Sequence, residues 1–188
     1  MPNLPSLPEK ANLFDVFRRF PKGLTPLLEF HDSFLREDDS DWTVAEREMI
    51  AAYVSGINQC DFCFGAHKLM AQAFGFSEEA FEQLMTNLDT ANLSHKLKVT
   101  LNYVEKLTKT PSRMTPEDAQ KVLSAGVSEE ALYDAICICG AFNMMNRIVE
   151  ATGVVPTLAH RQASSDDLER RRKNTYLSSA QNANLLSS

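Results

Sequence analysis

Residues 43–75, TVAEREMIAAYVSGINQCDFCFGAHKLMAQAFG, predict two consecutive helices that meet at a pair of cysteines. Thr43 and Glu46 have the spacing of a capping box, in which each side chain bonds the backbone amide of the other residue. The helix that begins there continues with apolar residues at helical spacing to about Asn58. A second, alanine-rich helix follows over about residues 64–74. The CxxC pair therefore lies at the junction of two helices, where unpaired backbone amides stabilise negative charge.

Helix signals recur through the rest of the chain, and strand signals do not. Two phenylalanine-rich amphipathic segments precede this stretch. Further helices open at capping serines and threonines, namely Ser77, Ser94, Thr115 and Ser128. After about residue 160 the chain is polar and rich in serine. We therefore expect an all-α protein with a single domain over residues 1–160, followed by a polar C-terminal helix and tail over residues 161–188.

The composition argues against nucleic-acid binding, membrane association and secretion. The chain of 188 residues carries a net charge of −6, and its one dense basic run lies beside acidic residues, so nucleic acid is not an expected partner. There is no apolar run of about 18 residues and no N-terminal signal pattern, so we expect no membrane partner and no secretion. Four cysteines in a chain of this length do not resemble a secreted disulfide framework, which favours a reducing cytoplasm.

The CxxC segment carries the candidate chemistry. Cys63 is expected in the first turn of the second helix and His67 one turn later, so the imidazole should lie beside the sulfur and accept its proton. Cys60 precedes Cys63 by three residues, near enough in a helical turn to form a disulfide. The base lies on the C-terminal side, which makes Cys63 the expected nucleophile and Cys60 the resolving cysteine. Glu48, on the preceding helix, is expected to orient His67 or to pass a proton to either sulfur.

Other interpretations of these four side chains stay open. Cysteines flanked by apolar residues are often inert core residues, although the neighbouring histidine favours chemistry. The four side chains could also be zinc ligands, but structural zinc usually takes its second ligand pair from a separate segment, and carboxylate ligands are rarer. A non-enzymatic oligomer that senses oxidants or binds zinc is therefore one alternative to a thiol enzyme.

Polar residues also interrupt the longest predicted helix, which begins after Ser128 and is apolar around almost its whole circumference. They are Asn143, Asn146 and Arg147. Because buried polar groups need hydrogen-bond partners, we expect a network between subunits, with a lining of the active pocket as the lesser alternative.

The stretch EMIAAYVSGINQCDFCFGAH, residues 48–67, resembles the core motif of the alkylhydroperoxidase D-like family in the carboxymuconolactone decarboxylase superfamily. FNMMNRIVEATGVVP, residues 142–156, is similar to the C-terminal helix of the peroxidase-related members of that superfamily. The resemblance implies an orthogonal helical bundle of the alkylhydroperoxidase D-like type. It also implies a homo-oligomer, either a trimer or a hexamer.

The resemblance further implies an antioxidant enzyme that reduces alkyl hydroperoxides with thiols and needs no haem, flavin or metal. By position, Cys63 would be the peroxidatic cysteine and Cys60 the resolving cysteine. Glu48 and His67 would form the proton relay. A hydroperoxide would be the substrate, and a dithiol or lipoyl-type reductant would reopen the disulfide.

One position departs from the family pattern. The alkylhydroperoxidase proper has a histidine directly before the second cysteine, and this chain has Phe62. Because a phenylalanine ring carries no proton, the relay would be shorter and peroxide reduction slower. The decarboxylase branch, which acts on a lactone acid, lacks the CxxC pair. A decarboxylase-like enzyme that has kept the motif is therefore the second alternative.

Overall fold

The computed structural model describes residues 2–186, and these fold into ten α-helices and two short 3-10 helices without a β-strand. The predicted all-α class is thereby confirmed. The α-helices are α1 (Leu13–Arg19), α2 (Leu24–Leu35), α3 (Val44–Ile57), α4 (Asp61–Ala73), α5 (Glu78–Thr86), α6 (His95–Lys109), α7 (Pro116–Ser124), α8 (Glu129–Thr152), α9 (Ser165–Lys173) and α10 (Tyr176–Asn182). The 3-10 helices are Pro111–Arg113 and Leu158–His160. Across the described residues, no helix combines the length and the apolar composition that a bilayer crossing requires.

Helix α3 lies at the centre of the bundle, in contact with α2, α4, α6 and α8. Most of its apolar residues are buried, and Met49, Ile50 and Val54 are fully buried. Glu48 is fully buried with them. Because α3 is enclosed on nearly every side, the Glu48 carboxylate faces other protein groups rather than water, and a buried charge needs such partners.

A sharp reversal joins α3 to α4. Gln59 adopts a left-handed backbone with φ of 58°, a conformation that favours glycine. The amide of Cys60 donates to the Ser55 carbonyl at 2.9 Å, which closes the end of α3. Cys60 is then the N-cap of α4, and Cys63 lies in the first turn. The reversal therefore places both cysteines at the N-terminal end of α4.

The C-terminal segment folds back onto the bundle. Helix α9 packs against α4, and α10 packs against α2. The Asp32 carboxylate accepts hydrogen bonds from the amides of Tyr176 at 2.7 Å and Leu177 at 2.9 Å, which fixes the start of α10. The division of the chain into two parts at residue 160 stays a prediction, and residues 187–188 of the expected tail lie outside the described part.

Gly65 marks a close approach between α4 and the 3-10 helix that contains His160. A Cβ atom at Gly65 would lie 2.2 Å from the His160 carbonyl oxygen, so Gly65→Ala forces the two segments apart. We expect a loss of about 1–3 kcal/mol in the free energy of unfolding, typical of an overpacked contact. Gly140→Ala is the matched control, because nothing lies within 4 Å of its Cβ position and alanine favours a helix. Urea unfolding measures both variants, and equal stability of the two would contradict the contact at Gly65.

Candidate active site

The two cysteines of the CxxC pair are unbridged thiols inside the protein. Cys60 is fully buried, and Cys63 is 4% exposed. The pKa of Cys63 is lowered, chiefly by its hydrogen bond with the Cys60 thiol; burial opposes this shift, and a hydrogen bond from Asn146 reinforces it. The pKa of Cys60 is raised by the same thiol–thiol hydrogen bond and by burial. Cys63 is therefore the sulfur on which a negative charge is more stable.

A polar network orients Asn146 toward Cys63. Asn58 Nδ2 donates to Asn146 Oδ1 at 2.9 Å, and Asn146 Nδ2 donates to Ser55 Oγ at 3.0 Å. An amide nitrogen has two hydrogens, so the second remains for the Cys63 sulfur. Asn143 accepts from the same Asn58 amide at 3.2 Å. The hydrogen bonds expected between subunits are thus made within the chain, because the reversal after α3 brings Asn58 up to α8.

Glu48 and His67 form a buried pair. His67 Nδ1 lies 2.7 Å from Glu48 Oε2, and both side chains are shielded from solvent. A carboxylate can only accept, so Nδ1 carries the hydrogen, and Nε2 of the neutral ring is the nitrogen that can take up a proton. The His67 ring packs edge-on against Phe142, with 4.2 Å between the ring centroids. Glu48 and Phe142 therefore fix the tautomer and the orientation of the imidazole.

Two residues that the sequence pattern did not indicate complete the surroundings of Glu48. The Tyr176 hydroxyl donates to the carboxylate, at 2.8 Å from Oε1 and 3.0 Å from Oε2. Arg36 Nη2 lies 3.3 Å from Glu48 Oε1, and its guanidinium lies over the Tyr176 ring. Since the Arg36 guanidinium makes no hydrogen bond to any residue in the described range, its contribution to Glu48 is its positive charge.

These partners keep Glu48 ionised although it is fully buried. Burial by itself raises the pKa of a carboxyl group. For Glu48 the hydrogen bond and charge of His67 and the charge of Arg36 outweigh burial, and the pKa lies below its ordinary value of 4.5. The hydrogen bond from Tyr176 acts in the same direction. The pKa of Tyr176 itself is raised, first by burial and then by the charge of Glu48, so the hydroxyl keeps its hydrogen at neutral pH.

His67 and Cys63 share a cavity but no direct hydrogen bond. Within residues 2–186, the hydrogen-bond partners of His67 are Glu48 and Tyr176. A direct hydrogen bond between the imidazole and the Cys63 sulfur is therefore absent among the described residues, and Nδ1 is held by the buried carboxylate on α3. Both Cys63 and His67 line one cavity, so a molecule bound there can carry a proton between them. The catalytic roles assigned from the sequence to these two residues, Cys60 and Glu48 stay predictions.

The cavity beside Cys63 has a volume of about 340 Å³. Its wall is largely apolar and includes Phe14, Phe17, Leu28, Met70, Phe142 and Met145. His31 also lines it, and its Nδ1 donates to the Leu27 carbonyl at 2.7 Å, so Nε2 is the ring nitrogen left for a bound molecule. Burial lowers the pKa of His31, which keeps the ring neutral. The sequence pattern had not connected His31 with the CxxC pair.

Phe62, the position that departs from the family pattern, packs against a histidine from elsewhere in the chain. The Phe62 and His160 ring centroids are 4.2 Å apart, and both residues line the cavity. His160 Nδ1 accepts a hydrogen bond from the Thr157 amide at 3.2 Å, so in the neutral ring Nε2 carries the hydrogen. An imidazole therefore lies beside Phe62 in space, although no sequence spacing indicated it.

The zinc interpretation finds no matching cluster. In the part of the chain that the structure describes, no group of three or more His, Cys, Asp or Glu side chains is arranged to hold a metal ion. Instead, His67 Nδ1 is occupied by Glu48, and Cys60 and Cys63 are buried free thiols. The contacts therefore favour thiol chemistry over metal ligation for these side chains.

Comparison with known proteins places this helical core in a family. Residues 24–106, which include the whole of α3 and α4, match the carboxymuconolactone decarboxylase family. A solved peroxidase-related protein shares the fold at a TM-score of 0.72. Residues 24–106 thus form a carboxymuconolactone decarboxylase family domain. Tyr176 lies outside the matched residues, so a C-terminal helix beyond this domain completes the surroundings of Glu48.

Three similar proteins cover most of the length of the chain. The YdfG protein of Bacillus subtilis (strain 168), described as uncharacterized, is 26% identical over 133 residues, 71% of this chain and 88% of YdfG. The crystal structure of an uncharacterized peroxidase-related protein from Silicibacter sp. TM1040 is 26% identical and covers 79% of this chain and 78% of its own. The third is an alkylhydroperoxidase AhpD core protein from Ralstonia eutropha JMP134, also described as uncharacterized and peroxidase-related. It shares the fold with a TM-score of 0.72 at 23% identity, and the match covers 87% of this chain and 83% of that chain.

Proposed function

We propose that this protein is a thiol-dependent hydroperoxide reductase in which Cys63 attacks the peroxide and Cys60 closes a disulfide. The observation that carries the proposal is the unequal placement of the two thiols, since Cys63 lines the cavity together with His67, whereas Cys60 is fully buried and does not line it. The lowered pKa of Cys63 agrees with this placement. Only a thiolate attacks a peroxide efficiently, so one sulfur of the pair is prepared for the first step. The cavity that Cys63 shares with His67 supplies a place for the substrate.

In the first step the Cys63 thiolate attacks the terminal oxygen of a hydroperoxide, ROOH. A sulfur–oxygen bond forms while the oxygen–oxygen bond breaks, which leaves a sulfenic acid on Cys63 and an alkoxide, RO⁻. The proton that the Cys63 thiol gave up is held on His67, which Glu48 stabilises in its charged form, and it returns to the alkoxide. The alcohol ROH then leaves the cavity.

In the second step the Cys60 sulfur attacks the sulfenic sulfur of Cys63. A disulfide forms, and the hydroxyl group leaves as water with the proton of the Cys60 thiol. An external dithiol, of the class that includes reduced lipoyl groups, then reduces the disulfide and is itself oxidised. Because Cys60 is fully buried, the dithiol attacks at Cys63, from the cavity. The trimer or hexamer and the cytoplasmic location stay predictions.

Turnover by the purified wild-type protein tests this proposal. With tert-butyl hydroperoxide and dihydrolipoamide, we expect many hydroperoxide molecules to be consumed per chain. Without the reductant, thiol titration should show that two thiols per chain disappear as one hydroperoxide is reduced. A reaction that stops after one event despite fresh dihydrolipoamide and dithiothreitol would instead identify a sensor, and unchanged thiols would contradict the peroxide chemistry altogether.

Tyr176→Phe tests whether the C-terminal helix belongs to the site. The variant keeps the ring and removes the hydroxyl that donates to Glu48. We expect kcat/KM for tert-butyl hydroperoxide to fall about tenfold, the effect of one lost hydrogen bond to a charged group. The acid limb of the pH profile should move to higher pH, because the hydroxyl helps to lower the pKa of Glu48. Tyr133→Phe, at a residue that is 61% exposed, is the control, and an unchanged profile in Tyr176→Phe would exclude Tyr176 from the relay.

A further inference from the structure

The cavity beside Cys63 contains a cation that the proposed reaction does not use. Arg171, from α9, lines the cavity together with Cys63 and His67. Its Nη2 donates to the Ala159 carbonyl at 3.3 Å. Its buried Nε has no hydrogen-bond partner among residues 2–186. A guanidinium with unused donors is therefore present in the same apolar space as the reactive sulfur.

Arg171 differs from Arg170 and Lys173, two other basic residues of α9. Arg170 pairs with Asp167 at 2.7 Å, and Lys173 pairs with Glu169 at 2.6 Å, both at the surface. No described carboxylate lies within ion-pair distance of Arg171. Burial lowers the pKa of Arg171, since the charge is partly removed from water. A partly desolvated cation without a directly paired carboxylate is unfavourable, and an anion in the cavity would compensate for it.

We propose that the cavity binds amphipathic carboxylic acids, with the carboxylate at Arg171 and the hydrocarbon chain along the apolar wall. A guanidinium matches a carboxylate with two parallel hydrogen bonds, which favours this class of anion. If the proposed function holds, on which this step rests, the substrate is an organic hydroperoxide that carries a carboxylate, such as a fatty-acid hydroperoxide.

The size of the cavity agrees with a substrate of this class. Its volume is about 340 Å³, within the range of small-molecule sites, which begins at about 300 Å³. One water molecule needs only about 10–15 Å³ of such space, so hydrogen peroxide would leave most of the apolar wall uncovered. A hydrocarbon chain would cover that wall and remove it from water, which stabilises the complex.

Binding of a non-reactive probe tests the inference separately from turnover. Decanoate and decanol have the same chain length and differ in the charged end. Using isothermal titration calorimetry, we expect decanoate to bind the wild-type protein at least about tenfold more tightly than decanol, as one charged hydrogen-bonded contact provides. In Arg171→Gln the ratio of the decanol and decanoate dissociation constants should fall to about one. Arg170→Gln removes the same charge from the same helix and should keep the preference.

Each outcome has a distinct meaning. Equal binding of decanoate and decanol to the wild-type protein would overturn the acid site, and this result depends on no variant. Equal loss of preference in Arg171→Gln and Arg170→Gln would also overturn it, because the cause would then be net charge. Decanoate binding without hydroperoxide turnover would overturn the proposed function and leave the acid site in place. Turnover of tert-butyl hydroperoxide without the decanoate preference would overturn the acid site and leave the proposed function in place.

Discussion

Cys63→Ser is expected to lower hydroperoxide turnover by about a thousandfold or more, because a serine hydroxyl stays protonated where a thiol ionises. Cys60→Ser should behave differently, since its hydroxyl can still donate to Cys63 but cannot form a disulfide. We expect this variant to reduce one hydroperoxide per chain and then to stop with a sulfenic acid on Cys63. Peroxide consumption with dihydrolipoamide measures the first effect, and dimedone trapping with mass spectrometry measures the second.

A third cysteine provides the control for these two variants. Cys137 lies on α8, is partly exposed, and does not line the cavity beside Cys63. Cys137→Ser should therefore keep wild-type turnover. If Cys63→Ser also keeps it, or if the sulfenic acid forms on Cys60, the assignment of the nucleophile is wrong. Full turnover by Cys60→Ser would remove the disulfide from the cycle.

Glu48→Gln should cause the largest loss of stability among the variants of the site. The substitution keeps the size of the side chain and removes the charge that faces Arg36 and His67. A buried cation left without its partner typically costs about 3–5 kcal/mol, and we expect a loss of about 3 kcal/mol in the free energy of unfolding at pH 7. Turnover should fall by about 10²–10⁴-fold, as for the loss of a proton relay. Urea unfolding and the hydroperoxide assay measure the two effects.

The pH dependence of this stability difference has a definite sign. The folded-state pKa of Glu48 lies below its ordinary value of 4.5, so the stabilisation that Glu48 provides is complete above about pH 4.5. It is lost as the pH falls through the folded-state pKa. The gap between the wild-type protein and Glu48→Gln should therefore be constant near neutral pH and shrink below pH 4.5. Glu82→Gln, at an exposed residue of α5, is the control. A gap that is absent at pH 7 would contradict the buried pair.

The helices around the CxxC pair could be predicted because their signals are local. The Thr43 side chain accepts a hydrogen bond from the amide of Glu46, and α3 begins at Val44, as the capping box indicated. Ser77, Ser94 and Ser128 act as N-caps in the same way. Such bonds join residues three positions apart, so residue type and spacing are sufficient to predict them.

Residue spacing was not sufficient for the orientation of His67. Four residues separate Cys63 and His67 on α4, which predicts that they face each other. In the structure His67 Nδ1 turns to Glu48, on another helix, because a buried carboxylate must have a hydrogen-bonding partner. The spacing along α4 therefore indicated which residues lie near His67 on that helix. The packing of α3 against α4 decided that His67 hydrogen-bonds Glu48.

Local patterns in the chain decided that it is all-α, where its helices begin, and that two cysteines stand at the start of α4. Only the tertiary structure decided that Tyr176 donates to a carboxylate 128 positions away and that Arg171 lines the cavity of Cys63. The physical reason is the distance along the sequence between the interacting residues. A cap or a helical turn is satisfied by neighbours in sequence, whereas a buried charge is satisfied by whichever polar groups packing brings to it.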